Sequence, residues 1–308
     1  MAGIHHVTAI SGAPERNLDF YTRVLGLRLV KKTVNFDDPG TYHLYYGNER
    51  GTPGTILTFF PWAHAAQGRL GVGETQETAF RVPAVSIGFW THRFVEKGVT
   101  HALEKRLGEA VLTFTDPDGL RFALVGVAGA EGEPGWSSDI PAEHAIRGFH
   151  GVTLLLARAA PTAQVLTGVL GFRAAGQEGA LTRYRTDDAL GGHVNLWEVG
   201  EFPTGRLGRG SVHHVAFRAA DDGAQAAMAK AALGLGLHVT GQKDRNYFRS
   251  VYFREPGGVL FEIATDDPGF AVDEAADGLG RALKLPPFLE PRRAELEAKL
   301  PPLGEQVA

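Results

Sequence analysis

Ile4-His5-His6-Val7-Thr8-Ala9-Ile10 is a short apolar stretch that recurs twice in the chain, as Phe149-His150-Gly151-Val152-Thr153-Leu154 and as Val212-His213-His214-Val215-Ala216-Phe217. A fourth stretch, Ala84-Val85-Ser86-Ile87-Gly88-Phe89-Trp90, follows the pattern more loosely. All four are rich in the apolar and β-branched residues that are typical of strands. Because one strand pattern returns at wide intervals, we expect a fold built from repeated modules.

The segments that follow these strands repeat as well. Residues 17–27 and 164–172 each place apolar residues at helical spacing and carry a glycine where the helix should end. Residues 116–124 and 255–263 each begin with an acidic-Pro-x-Gly turn and continue as a strand, and residues 51–58 are a third version. The order of these parts predicts modules of one strand, one helix and three further strands.

The repeats therefore predict an α+β fold made of four βαβββ modules. The modules are expected at residues 1–62, 80–128, 147–200 and 210–266, with connectors at 63–79 and 129–146 and a tail at 270–308. The tail contains a predicted short helix from Pro291 to Leu300, in which proline suits the first turn. We expect this helix to pack on the last module; a lid over the site is the alternative.

The composition is that of a globular protein. The chain has 308 residues, of which 44% are hydrophobic and 21% are charged, enough for two domains that each bury a core. A formal net charge of −4 gives no electrostatic reason to expect a nucleic acid or an anionic membrane as a partner. The absence of cysteine excludes disulfides, thiolate nucleophiles and Cys-ligated metal sites. With neither a signal-peptide pattern nor an apolar run of about 18 residues, a cytoplasmic location is the default expectation.

Two histidines and one glutamate form the candidate metal site. Alternate side chains of a strand share a face, so His6 and Thr8 point one way while His5 points the other. His214 has the same place in the last module as His6 has in the first. Glu262 lies mid-strand between apolar residues, where a carboxylate must be paired, protonated or bound to a metal. Two imidazoles and one carboxylate suit a non-haem Fe(II) ion and leave coordination positions open.

The other modules provide an internal control for this site. Where the last module has Glu262, the second has Ala123, and where the first and last modules have the ligand histidines, the third has Gly151. A structural role would more naturally be shared by all four repeats. The pattern therefore predicts one metal site, with no ligands at the corresponding positions elsewhere.

Taken together, these motifs resemble the hydroquinone ring-cleaving dioxygenases of the vicinal oxygen chelate (glyoxalase/bleomycin-resistance/extradiol dioxygenase) superfamily. The resemblance also includes the strand Tyr42-His43-Leu44-Tyr45-Tyr46 and extends from about residue 3 to Leu289. It implies two barrel-like domains, with modules 1 and 4 in the catalytic barrel and modules 2 and 3 in the other. It also implies Fe(II), or Mn(II) in its place, and a small aromatic substrate whose ring is opened beside a hydroxyl by both atoms of O2. A homo-oligomer is compatible with it.

The resemblance further assigns roles to residues around the ligands. Arg245 and Tyr252 match the substrate-pocket arginine and tyrosine of the family, which suits stabilisation of a substrate oxyanion and proton transfer to a ring oxygen. His5 and His213 adjoin the ligands and are further candidates for proton transfer. The candidate catalytic residues are thus His5, His213, Arg245 and Tyr252, and the candidate pocket residues are Thr8, Tyr42 and His43.

Three other functions remain open on sequence alone. In the four-module catechol dioxygenases the resemblance would place all ligands in modules 3 and 4, and Gly151 argues against that arrangement, although catechol cleavage at the present site stays open. A glyoxalase-type isomerase or lyase would take a fourth ligand from the partner module, where this chain has Thr58, a poor ligand. A non-catalytic resistance protein that binds a small molecule would not need the ligand set.

Overall fold

The structure is a computed structural model that describes residues 3–137 and 139–303. Residues 304–308 of the expected tail and the first two residues of the first expected module lie outside the described part. The helices are α1 (Pro14–Asp19), α2 (Ile87–Glu96), α3 (Ala160–Gly168), α4 (Asp222–Gly234) and α5 (Arg293–Lys299). The strands are β1 (Ile4–Ser11), β2 (Arg28–Asn35), β3 (Asp38–Gly47), β4 (Ile56–Pro61), β5 (Glu74–Pro83), β6 (His101–Arg106), β7 (Glu109–Thr115), β8 (Arg121–Val127), β9 (Gly148–Leu156), β10 (Arg173–Glu178), β11 (Leu181–Arg185), β12 (His193–Glu198), β13 (Ser211–Ala219), β14 (Lys243–Asp244), β15 (Phe248–Arg254) and β16 (Leu260–Pro268).

These strands form two eight-stranded sheets. The first sheet has the order β14-β15-β16-β13-β1-β4-β3-β2, and the second has the order β10-β11-β12-β9-β5-β8-β7-β6. The first sheet thus contains strands from the first and last expected modules, and the second contains strands from the middle two. In each sheet the two modules meet through an antiparallel pair, β1 with β13 and β5 with β9. This arrangement confirms the expected α+β fold with two barrel-like domains.

The expectation of a strand at residues 84–90 is wrong, because these residues form a turn of 3-10 helix and the start of α2. β5 is the first strand of this module, and one turn of 3-10 helix leads from it into α2. Ile87, Trp90 and Phe94 of α2 are buried at the spacing of one helix face. A short apolar run fits either a strand or a helix in sequence, and here the helical spacing decides. The module therefore begins at Glu74 rather than at residue 80.

Two buried hydrogen bonds join the sheets at equivalent turns. Tyr21, in the helical turn after α1, donates its hydroxyl to Asp116 Oδ2 at 2.8 Å. Thr162 of α3 donates its hydroxyl to Glu255 Oε2 at 2.6 Å. The two carboxylates open the acidic-Pro-x-Gly turns, and each also accepts backbone N–H groups of its own turn. Each bond therefore connects a helical segment of one sheet's module to a turn of the other sheet.

The tail helix α5 packs on the first module rather than on the last, which corrects the expectation for this helix. α5 contacts β3, and Leu296 of α5 is buried. Lys31 of β2 is fully buried, and its Nζ binds Asp273 Oδ1 at 2.6 Å and Glu274 Oε2 at 2.5 Å. These contacts hold the start and the end of the tail against the same edge of the first sheet. Among the described helices, none is long and apolar enough to cross a membrane.

Candidate metal centre

Three neighbouring strands of the first sheet bring the expected ligands together. β1, β13 and β16 lie side by side and carry His6, His214 and Glu262. Ala216 of β13 pairs with His6 on one side and with Glu262 on the other. His214 is two residues from Ala216 along β13 and therefore points to the same face of the sheet. Register and alternation thus place all three ligand side chains in one cavity.

The ligand atoms form a small, buried triangle. The Nε2 atoms of His6 and His214 lie 3.3 Å apart, and Glu262 Oε2 lies 3.4 Å from the first and 3.0 Å from the second. The three residues are 2%, 6% and 0% exposed. Glu262 Oε2 is buried without a hydrogen-bond partner among the described residues. A single ion can lie about 2.1 Å from all three atoms, a distance typical of imidazole and carboxylate ligands, so the donor set fits a metal.

Burial and mutual contact set the charges of these ligands. Burial lowers the pKa of His214, although Glu262 beside it acts in the opposite direction, so this imidazole is neutral at neutral pH. Burial also opposes ionisation of Glu262, but His6 and His214 outweigh that effect and hold the pKa of the carboxyl well below its usual range. A carboxylate and a neutral imidazole are the forms that bind a cation.

Each ligand histidine contacts the histidine that precedes it in sequence. His5 Nδ1 lies 2.9 Å from His6 Nδ1, and His213 Nδ1 lies 2.8 Å from His214 Nδ1. A histidine that offers Nε2 to a metal carries its proton on Nδ1, which then donates to the preceding ring. His213 also lines the cavity, whereas His5 is buried behind it and packs edge-on against Phe248. Of these two proton-transfer candidates, His213 is the one at the cavity wall.

The cavity around the ligands has a volume of about 440 Å³ and is lined by Arg245 and Tyr252. Arg245 Nε donates to Tyr252 Oη at 3.1 Å, and its Nη2 donates to Asp37 Oδ2 at 3.1 Å. Burial raises the pKa of the Tyr252 hydroxyl above its usual value, so the phenol remains protonated. The pair therefore presents a cation and a hydroxyl group to a molecule in the cavity.

A chain of hydrogen bonds runs from the cavity into the sheet. Tyr45 Oη lies 2.9 Å from His43 Nδ1, and His43 Nε2 lies 2.8 Å from Thr58 Oγ1. Thr58 Oγ1 lies 2.8 Å from Thr8 Oγ1. His43 and Tyr45 line the cavity, while Thr8 is connected to it through Thr58. Thr58 stands where an isomerase would have a fourth ligand. Its hydroxyl is instead hydrogen-bonded to His43 and Thr8.

Tyr42 lies outside the cavity, which corrects its expected place in the substrate pocket. Side chains alternate along β3, so His43 and Tyr45 face the cavity while Tyr42 faces the tail. The Tyr42 hydroxyl donates to the carbonyl oxygen of Pro301 at 3.1 Å.

Sequence reasoning did not identify Ser250, which contacts a ligand directly. Ser250 of β15 is fully buried, and its hydroxyl donates to Glu262 Oε1. Because side chains alternate along β15, Ser250 shares a face with Tyr252, and this spacing in the sequence could have identified it as a residue near the site. Phe60, Trp62 and Phe248 also line the cavity, but nothing in their local sequence distinguishes them from core aromatic residues.

The second sheet has a larger cavity, of about 690 Å³, without the ligand set. Ala79 of β5 pairs with Gly151 on one side and with Ala123 on the other. Gly151 therefore takes the place of His6, and Ala123 takes the place of Glu262. Glu77, two residues along β5, takes the place of the third ligand and pairs with Arg106 Nη1 at 2.6 Å. The described residues of this sheet therefore contain no comparable triad.

Comparisons with known proteins agree with this fold. Residues 3–124 match the model of the Glyoxalase/Bleomycin resistance protein/Dioxygenase superfamily. The chain is 46% identical, over 97% of its length and 96% of the relative, to MhqO of Bacillus subtilis (strain 168), provisionally named a ring-cleaving dioxygenase. It is 36% identical, over 96% of its length and 94% of the relative, to a chlorohydroquinone/hydroquinone 1,2-dioxygenase of Sphingobium indicum.

Solved structures give the same assignment. A crystal structure from Bacillus subtilis, provisionally described as a dioxygenase, superposes with a TM-score of 0.95 at 46% identity and covers 99% of this chain and 98% of that chain. Glyoxalase I from Zea mays superposes with a TM-score of 0.64 at 16% identity, over 86% of this chain and 93% of that chain, which is a likeness in fold alone. The chain belongs to the glyoxalase/bleomycin resistance protein/dioxygenase superfamily and, within it, to the family of ring-cleaving dioxygenases.

Proposed function

We propose that this chain is an Fe(II)-dependent dioxygenase that opens a hydroquinone-type, para-dihydroxylated aromatic ring with both atoms of O2. The observation that carries the proposal is the buried triangle of His6, His214 and Glu262 in a cavity large enough for one substituted aromatic ring. Similarity over almost the whole chain to a chlorohydroquinone/hydroquinone 1,2-dioxygenase supports this substrate class. Two histidines and one carboxylate suit non-haem Fe(II), and Mn(II) is the alternative ion.

The ligands would hold the metal through two imidazole nitrogens and one carboxylate oxygen, His6 Nε2, His214 Nε2 and Glu262 Oε2. When bound, Fe(II) supplies a centre at which O2 and a hydroquinone oxygen can both bind and exchange electrons. The ligands all come from the sheet, so the side toward the cavity is free for small molecules.

Aromatic side chains form the walls that would hold the substrate ring. Phe60, Trp62 and Phe248 line the cavity together with His43 and Tyr45. Such walls favour a planar ring, because they bury its faces and offer offset or edge-on ring contacts. A ring bound between these walls would also displace water from the metal, which strengthens the electrostatic contacts in the site.

Arg245 and Tyr252 would respond to charge on the substrate. The guanidinium of Arg245, fixed by Asp37, can stabilise the anionic oxygen of a hydroquinone that has lost a proton. The Tyr252 hydroxyl stays protonated and can donate a hydrogen bond or a proton to a ring oxygen. His213 can donate a hydrogen bond into the cavity, because its Nδ1 accepts from His214, its own proton therefore lies on Nε2, and its ring borders the cavity.

The polar surroundings of the site favour ring cleavage over isomerisation. A glyoxalase-type isomerase would need a fourth protein ligand at Thr58, whose hydroxyl instead bonds with His43 and Thr8. Ring cleavage needs open positions for two reactants, and a triad of protein ligands leaves them.

Oxygen uptake tests this proposal. Protein loaded anaerobically with Fe(II) is given hydroquinone, methylhydroquinone and catechol in parallel, and the E262Q variant is the control. We expect O2 uptake that matches the loss of hydroquinone, faster turnover of the hydroquinones than of catechol, and little uptake by the variant. No uptake with any of the three compounds, despite one tightly bound metal per chain, would contradict the proposal and favour an isomerase or a binding protein.

A further inference from the structure

We propose that Ser250 is a positioning residue that keeps Glu262 in one-oxygen coordination of the metal. The inference rests on the proposed function, because it concerns the metal held by the triad. Ser250 does not line the cavity and would act through the carboxylate of Glu262 rather than on the substrate.

The two oxygens of Glu262 have different surroundings. Oε1 accepts a hydrogen bond from the hydroxyl of Ser250, which is fully buried. Oε2 has no hydrogen-bond partner in the described part of the chain and lies within 3.4 Å of the Nε2 atoms of His6 and His214. The serine thus engages one oxygen and leaves the other turned toward the ligand histidines.

The second sheet provides an internal control for this contact. β15 pairs with β16 in the first sheet as β7 pairs with β8 in the second. Glu262 pairs with Tyr252, which lies two residues after Ser250. Ala123 pairs with Thr113, which lies two residues after Val111. Val111 therefore takes the place of Ser250, and it belongs to an apolar cluster with Ala123. A buried hydroxyl without a partner costs free energy, so a serine at this position is explained by the polar groups beside it, the Glu262 carboxylate that accepts from it and the Tyr252 hydroxyl.

The hydrogen bond opposes chelation by both carboxylate oxygens. For Oε1 to bind the metal, the carboxylate of Glu262 must turn and its bond with Ser250 must break. One-oxygen coordination leaves one more position open on the metal than two-oxygen coordination does. Ser250 would therefore set how many positions are available to O2 and the aromatic substrate.

Metal affinity is the first test of this role. Wild type, S250A, S250V and S250T are titrated anaerobically with Fe(II), and separately with Mn(II), in competition with a chelator. Residues that orient a ligand typically change metal affinity by about 10–100-fold. We expect S250A to bind the metal more weakly by this factor. The same loss is expected in S250V, which carries valine as the second sheet does at Val111. S250T keeps the hydroxyl and should bind the metal as tightly as wild type. Melting of the metal-free variants controls for a general effect on folding.

Infrared spectroscopy tests the coordination mode itself. Difference spectra between Mn(II)-loaded and metal-free protein with 13C-labelled glutamate report the separation of the two carboxylate stretches. We expect the wide separation of one-oxygen coordination in wild type and S250T, and a narrower one in S250A and S250V. An unchanged separation of the carboxylate stretches in S250A would overturn the role of Ser250, whatever the metal affinity of the variant. A wild type that binds neither metal would overturn the proposed function and this inference with it, so the two failures are distinguishable.

Discussion

At the scale of single residues, the site depends on a carboxylate that is fully buried in the sheet. Glu262 is fully buried, and its Oε2 has no hydrogen-bond partner among residues 3–137 and 139–303. A cation between the three ligands would give this oxygen a direct partner of opposite charge. Binding of the metal should therefore stabilise the fold as well as enable the reaction.

The E262Q substitution separates these two effects. The neutral amide is a poor ligand, so tight Fe(II) binding should be lost and oxygen uptake should fall by about 100-fold or more. The metal-free variant should differ little in stability from metal-free wild type, because the amide avoids the cost of burying a charge but also loses the interaction of the carboxylate with His6 and His214. Metal content and thermal melting measure both. An active variant with one iron per chain would contradict the assignment of the ligands.

The Y252F substitution tests the proposed proton donor. Removal of a general acid typically lowers turnover by about 10²–10⁴-fold, so kcat should fall by about 100-fold or more while metal content is unchanged. Y42F is a matched control, because the Tyr42 hydroxyl faces Pro301 outside the cavity, and its kcat should equal that of wild type. Steady-state oxygen uptake measures both variants. Equal kcat values in Y252F and wild type would remove Tyr252 from the mechanism.

At the scale of elements, an irregularity in β1 decides where His5 lies. Strict alternation predicts that His5 and His6 point to opposite faces. The pairing of β1 with β13 shifts between Ile4 and His6, and the two Nδ1 atoms of the histidines lie 2.9 Å apart. A shift of this kind depends on the partner strand, so the sequence of β1 alone could not predict the contact.

The G88A substitution tests whether residues 87–96 form a helix. Gly88 is exposed in α2 with open space where a Cβ would be, so alanine should raise the free energy of unfolding by about 0.5–1 kcal/mol. Gly98 follows the helix with a φ of +66°, and G98A should lower the free energy of unfolding by a similar amount, about 1 kcal/mol. Urea denaturation measures both. A loss of stability in G88A would argue against the helix.

At the scale of the whole molecule, the repeats made the α+β class predictable, because strand and turn patterns return along the chain. They also located His6, His214 and Glu262, since these residues interrupt the repetition. Other features depend on contacts between distant segments, which leave no local pattern in the sequence. These are the packing of α5 on β3, the cavity of the second sheet and the hydrogen bonds that join the two sheets.

Burial of Asp116, the carboxyl that accepts from Tyr21, should give stability a pH dependence. Burial raises the pKa of Asp116 to about 6, although its hydrogen bonds act against the rise, whereas an unfolded aspartate titrates near pH 3.9. Because the folded pKa is raised, this carboxyl contributes stability that is fully present below about pH 4 and is lost as the pH rises through about 6. The free energy of unfolding of wild type relative to D116N should fall by about 1–3 kcal/mol between about pH 4 and 7. Urea denaturation across this range checks it; a constant difference would contradict the buried carboxyl.

Incorporation of labelled oxygen tests the central claim most directly. Fe(II)-loaded protein is given one equivalent of hydroquinone under 18O2, and the product is analysed by mass spectrometry at early times, with E262Q as the control. The proposed function predicts one O2 consumed per hydroquinone and a ring-opened product that carries both labelled atoms, with none formed by the variant. Oxidation of hydroquinone to an unlabelled quinone, or a ring-opened product from the variant as well, would contradict ring cleavage at the site of His6, His214 and Glu262.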